Sequence, residues 1–158
     1  MTIRGGDFGL KPDPDFAADE RLYRRVKPDQ ISEENHVLAL ALDDITERHP
    51  SCSFNRSKYS DPEDVLDSNH PAYNRIAFLV AGNLPEPQSH PSNPTMMYAF
   101  RLTHLPDRDN HSHTEAQVTK QVEIASLPED ATKLGSPALR RQLREALAEK
   151  MFVLAPTA

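Results

Sequence analysis

The apolar positions of this chain fall into short runs set apart by breaks rich in proline and aspartate, and the runs differ in period. RLYRRV (21–26) mixes aromatic and branched residues and is stopped by Pro28, which predicts a short strand. In HVLALALDDITER (36–48), Val37, Ala39 and Ala41 alternate with Leu38, Leu40 and Leu42. Both faces are apolar, so the run suits a buried strand or a helix, and its period does not choose between them. HPSCSFNRSKYS (49–60) reads as a short strand entering a loop. DPEDVL (61–66) starts a short helix, with Asp61 at the N-cap and Pro62 in the first position. RIAFLVA (75–81) predicts a central strand, GNLPEPQSHPSNP (82–94) an exposed loop and TMMYAFRLTHL (95–105) another strand. HTEAQVTKQVEIA (113–125) alternates most cleanly: Ala116, Val118, Val122 and Ile124 share one face, Glu115, Gln117, Thr119, Gln121 and Glu123 the other. Ser136, Pro137 and the stripe Leu139, Leu143, Ala146, Leu147 predict a helix over 137–150, and MFVLA (151–155) a closing strand.

The sum is one α+β domain over residues 21–158. It has a mixed or antiparallel sheet of five to six strands with one long C-terminal helix packed on it. Residues 1–20 show no period and read as a flexible N-terminal arm. The chain's 158 residues suit a single domain. No apolar run approaches the ~18 residues of a membrane span, and the first residues lack the apolar core of a secretion signal. Cys52, the one cysteine, excludes an internal disulfide and suits a reducing cytoplasm. The net charge of −6 argues against broad binding to a nucleic-acid backbone.

Candidate chemistry gathers in three places. In DNHSHTEAQ (109–117) the alternation puts His111, His113, Glu115 and Gln117 on one face of a strand. A histidine that titrates near neutrality beside a carboxylate can do acid–base work, while a metal site would need a third ligand that nothing in the chain supplies. Arg24 shares a face with Leu22 and Val26. It stays charged, so it must meet a carboxylate or a ligand anion; Arg25 reads as an ordinary surface charge. In PSCSFNRSKYSDPEDVL (50–66), Ser51, Ser53, Asn55, Arg56, Lys58 and Tyr59 precede a helix start and could hold a phosphate or carboxylate. Cys52 reads as a core thiol. Arg24, Asn55, Arg56, His113 and Glu115 are expected to line one surface depression, provided that their strands are neighbours.

Taken in order, LYRR in an early strand, the serine-rich PSCSF and a later strand with Glu115 and Gln117 resemble the Arg–Ser–Glu layout of ADP-ribosyltransferase-type enzymes, small bacterial toxins included. The resemblance implies NAD as cofactor. Arg24 would hold its phosphate or ribose, Ser51 or Ser53 would support the nicotinamide end, and Glu115 would stabilise the ribose cation. Asn55, Arg56 and Tyr59 would join Arg24 in holding the cofactor. Two features depart from that family: LPDRDNHSHT (105–114) has no aromatic ahead of the glutamate, and PSCSF only approximates Ser-Thr-Ser. The chain also resembles small bacterial proteins of no assigned activity that share LYRR, SxNRxKYSxPEDVL and HxE segments.

Three functional expectations follow. The leading one is a binding or accessory subunit that meets a protein partner or a second copy through Phe8, Leu10 and Phe16 of the arm. An NAD-using transferase with Arg24, Ser53 and Glu115 is the alternative. A nuclease or hydrolase using His113 and Glu115 is the third.

Overall fold

The computed structural model describes residues 11–123 and 126–155. It holds one antiparallel sheet of eight strands: β1 (Arg21–Val26), β2 (Ser51–Arg56), β3 (Arg75–Val80), β4 (Gln88–His90), β5 (Asn93–His104), β6 (His113–Gln121), β7 (Glu129–Asp130) and β8 (Phe152–Val153). Their order across the sheet is β4-β5-β6-β2-β1-β3-β8, with β7 paired to β6. The expectation of an α+β domain with five to six strands and a long terminal helix is therefore corrected. The fold is sheet-rich, and its one substantial helix, α2 (Pro137–Glu149), is 13 residues long, close to the average for globular proteins.

The miscount has a physical cause. β4 and β7 are three and two residues long and mostly polar, so they exist by pairing with β5 and β6 and leave no apolar period to read. The segment 36–48 is neither strand nor long helix. Ala39–Leu42 form a 3-10 turn, and Ala41, Leu42 and Ile45 are fully buried.

Alternation assigns the two faces. Leu22, Val26, Cys52, Phe54, Ala77, Leu79, Ala116 and Val118 form the core together with Leu139, Leu143 and Leu147 of α2. Ser136 caps α2 by accepting the Leu139 N–H at 3.2 Å. The opposite face carries a smaller cluster of Tyr23, Val65 and Ile76, covered by the short helix α1 (Pro62–Val65). Its other half is polar.

Of the arm, Phe8 and Leu10 lie outside the described residues, but 11–20 fold back onto the sheet. Arg56 anchors them from full burial. Its Nε and Nη2 donate to the two Glu20 carboxylate oxygens at 2.7 and 2.8 Å, and its Nη1 and Nη2 donate to the Asp13 and Asp15 carbonyls, both at 2.7 Å. Phe16 lies 3.9 Å beneath the guanidinium carbon. The Gly82 N–H donates to Ala18 O at 2.8 Å, and a Cβ at Gly82 would itself stand 2.8 Å from that oxygen. Glycine is needed there for the close approach.

Candidate functional site

Strands β1, β2 and β6, which bear Arg24, Ser51 and Ser53, and Glu115, are immediate neighbours. Ser53 sits opposite Glu115, Asn55 opposite His113 and Tyr23 opposite Asn55, so these side chains share the polar face. β1 and β2 pair only at Leu22–Arg56 and Tyr23–Asn55 and then part. A cavity of about 530 Å³ opens at this parting, lined by Ser53, Asn55, His113, Asn110, Arg25 and Tyr73 among others.

Arg24 plugs the parting from the core side, where alternation places it. Its Nη1 donates to Ser53 O at 3.0 Å and to Asp44 Oδ2 at 2.8 Å, its Nε to Ala41 O at 3.0 Å and its Nη2 to Asp43 Oδ1 at 3.2 Å. The Ser53 N–H donates to the same Asp44 oxygen at 3.1 Å. Ser53 has no β1 ladder partner, and the Arg24–Asp44 pair supplies what the ladder would have given. Arg24 thus reaches the cavity wall with most of its donors committed.

Behind that wall Glu115 is clasped from three sides. Ser51 Oγ donates to Oε2 at 2.7 Å, Ser53 Oγ to Oε1 at 3.1 Å, and His113 Nε2 stands 3.3 Å from Oε1. Burial works against the charge on Glu115, yet the bonds from His113 and Ser51 outweigh it and hold the carboxyl below its ordinary range. Glu115 in turn raises the pKa of His113, against the desolvation of the ring. Geometry agrees: Nδ1 of His113 lies 3.0 Å from the Leu105 carbonyl. The Leu105 carbonyl and the Glu115 carboxylate, one at each ring nitrogen, both favour the protonated ring. The ring's Nε2 also lies 3.4 Å from Ser53 Oγ. Because His113 donates toward Glu115, it is no free base for that serine, unlike a nucleophile–histidine–acid relay whose acid sits on the other ring nitrogen.

The remaining sequence candidates separate. Asn55 belongs to the cavity and accepts from Asn110 Nδ2 at 2.8 Å. Arg56 leaves the expected depression, because it lies on the core face and is consumed by the arm. Tyr59 goes with it: its hydroxyl donates to Asp13 Oδ2 at 2.5 Å and its ring stacks on His104. Gln117 donates to the Val118 and Ala131 carbonyls, and His111 precedes β6, where its carbonyl meets His104 Nε2 at 2.6 Å. Burial pushes the Cys52 thiol up to about 12, which leaves it unreactive. Asp43, Asp44, Asn110 and Tyr73 were not singled out in the sequence. Only the Asp-Asp pair closing an apolar run signalled a change of environment.

Among the described residues no group of three His, Cys, Asp or Glu is placed to hold a metal ion, and no helix is long and apolar enough to cross a membrane. The chain matches no protein-family model, no curated protein and no solved structure.

Proposed function

We propose that the protein is an enzyme of the NAD-using transferase type, with its reacting centre where Ser53 and His113 line the cavity in front of Glu115. One observation carries this reading. The hydroxyls of Ser51 and Ser53 and the His113 ring hold a largely buried carboxylate directly behind Ser53 and His113, which line a cavity whose size suits a small molecule. A carboxylate kept charged in such a place is suited to balance a developing positive charge. In this reaction the bond between the ribose carbon and nicotinamide breaks, and nicotinamide leaves with the electron pair. A nucleophile, water or an acceptor group, then takes the ribose carbon while Glu115 stabilises the cation. The accessory-subunit reading keeps less support, since Phe16 is already packed under Arg56.

The test is nicotinamide release from NAD, together with the melting temperature with and without NAD. Wild type should release nicotinamide and gain stability with NAD. Glu115→Gln should keep the fold and lose turnover. Turnover unchanged in Glu115→Gln, or a flat response of well-folded wild type, overturns the reading, and a flat response returns the accessory subunit to first place.

A further inference from the structure

We propose that Arg25, and not Arg24, is the cation that receives the anionic group of the ligand, and that Asp67 holds it in reserve. The assignment rests on the cavity being a ligand site, as proposed above, and deepens that reading by naming how a phosphate or diphosphate group is held.

Three observations lead to it. The first is facing. Tyr23 lies opposite Asn55, so two residues further along β1 the antiparallel register brings Arg25 level with Ser53, which lies opposite Glu115. By alternation Arg25, Ser53 and Glu115 stand on the same polar face, on three successive strands. The Cα of Arg25 and that of Glu115 are then about 10 Å apart across the sheet, plus the parting of β1 from β2. Arg24 enters the cavity wall from the core side, through the parting of β1 and β2.

The second is availability. Arg24 has Ala41, Ser53, Asp43 and Asp44 as partners, and its side chain is only 11% exposed. The single ion pair of Arg25 joins its Nη1 to Asp67 Oδ2 at 3.3 Å, and its side chain is 34% exposed. A guanidinium has five N–H donors in a planar fork that matches a phosphate or carboxylate. Removing Arg24 from its plug would orphan the Ser53 carbonyl and leave Asp44 only the Ser53 N–H, while turning Arg25 away from Asp67 costs one rim contact of small worth.

The third is the wall behind it. Arg25, Asp67 and Tyr73 all line the cavity, and the Arg25 guanidinium carbon stands 5.9 Å from the Tyr73 ring centre. The Asp67 carboxyl is also held by the Asn69 N–H at 2.9 Å, so it stays in place when Arg25 leaves. A ligand with its anion at Arg25 would reach the Ser53–Glu115 wall with its uncharged or cationic end. Glu115 stands directly behind Ser53 and His113 at that wall.

Inorganic pyrophosphate is the first probe, titrated into wild type, Arg25→Gln, Asp67→Asn and Arg24→Lys and followed by calorimetry and thermal shift. Arg25→Gln should weaken binding roughly tenfold or more, the worth of a charge-assisted pair, with the unliganded melting temperature little changed. Asp67→Asn should tighten binding several-fold by releasing Arg25, a gain that a purely structural pair would not give. Arg24→Lys should lower the melting temperature and leave the affinity of the folded fraction near wild type. Equal binding by wild type and Arg25→Gln overturns the assignment, as does a loss confined to Arg24→Lys, or no binding by wild type. If pyrophosphate binding follows Arg25 while NAD is not consumed, the assignment stands and the transferase reading falls.

Discussion

Strand β2 presents a polar network to each side of the sheet, and the two are built on opposite plans. Toward the core, Arg56 is 0% exposed and spends its donors on Glu20, Asp13 and Asp15. Toward the polar face, Ser53 joins Ser51, His113 and Glu115 in a cluster that also borders a cavity. A buried charge whose partners are all protein groups holds a segment in place. A charge that protein groups hold at a cavity wall is in position to act on something else. Of the two arginines expected in the shared depression, Arg56 is of the first kind, while Arg24 does line the cavity but spends most of its donors on protein groups.

Breaking the closed network should have the largest effect. Arg56→Met leaves Glu20 buried without its partner, and should cost about 3–5 kcal/mol. Chemical denaturation measures the loss, and limited proteolysis should show cleavage within residues 11–20 before the sheet opens. If the arm stays protected, Arg56 is not its anchor. Gly82→Ala tests the same seat by crowding, with a new Cβ set 2.8 Å from Ala18 O. An over-packing cost of about 1–3 kcal/mol is expected, and a change near zero would mean that the arm is free to shift.

The open network should answer differently. Glu115→Gln keeps an acceptor for Ser51 or Ser53, so about 1 kcal/mol or less should be lost in the denaturation midpoint while nicotinamide release disappears. A large loss of stability would make the cluster a structural lock like that of Arg56.

The smallest effects, and the most diagnostic, lie in pH. His113 is raised above its ordinary 6.5, so its stabilisation is complete below pH 6.5 and is lost as the pH climbs through its folded value. His104 is the reverse. Burial lowers it, and Asp13 N–H donates to its Nδ1 at 2.9 Å, which requires a neutral ring. Its contribution is complete above pH 6.5 and declines as the pH falls below that. The stability difference between wild type and His113→Gln should therefore shrink on the alkaline side, and that for His104→Gln on the acid side. Glu115, held below its ordinary 4.5, adds a loss to the first pair as the pH falls under that value. Midpoints measured from pH 4 to 9 decide it, and parallel curves for the two variants would erase the distinction between the networks.

Much of this was legible in residue order. Arg21–Val26, Ser51–Arg56, Arg75–Val80, His113–Gln121 and Pro137–Glu149 begin or end close to where period, proline and capping residues place them. That Arg25 lines the cavity could not be read from the sequence, for a specific reason. Alternation correctly put Arg24 with Leu22 and Val26, but an arginine on an apolar face looks more purposeful than one on a wet face. Only the sheet shows that the wet face holds the cavity.

Local chemistry alone determined which stretches become strands, which residues share a face and where α2 starts, because pleat, helix period and capping act over a few residues. Tertiary structure decided the strand order that sets Ser53 against Glu115, and the parting of β1 from β2 that opens the cavity. It also decided the capture of Arg56 by Glu20, 36 residues away. Such pairings join groups far apart in the chain, and their energy exists only once the sheet has closed the distance between them.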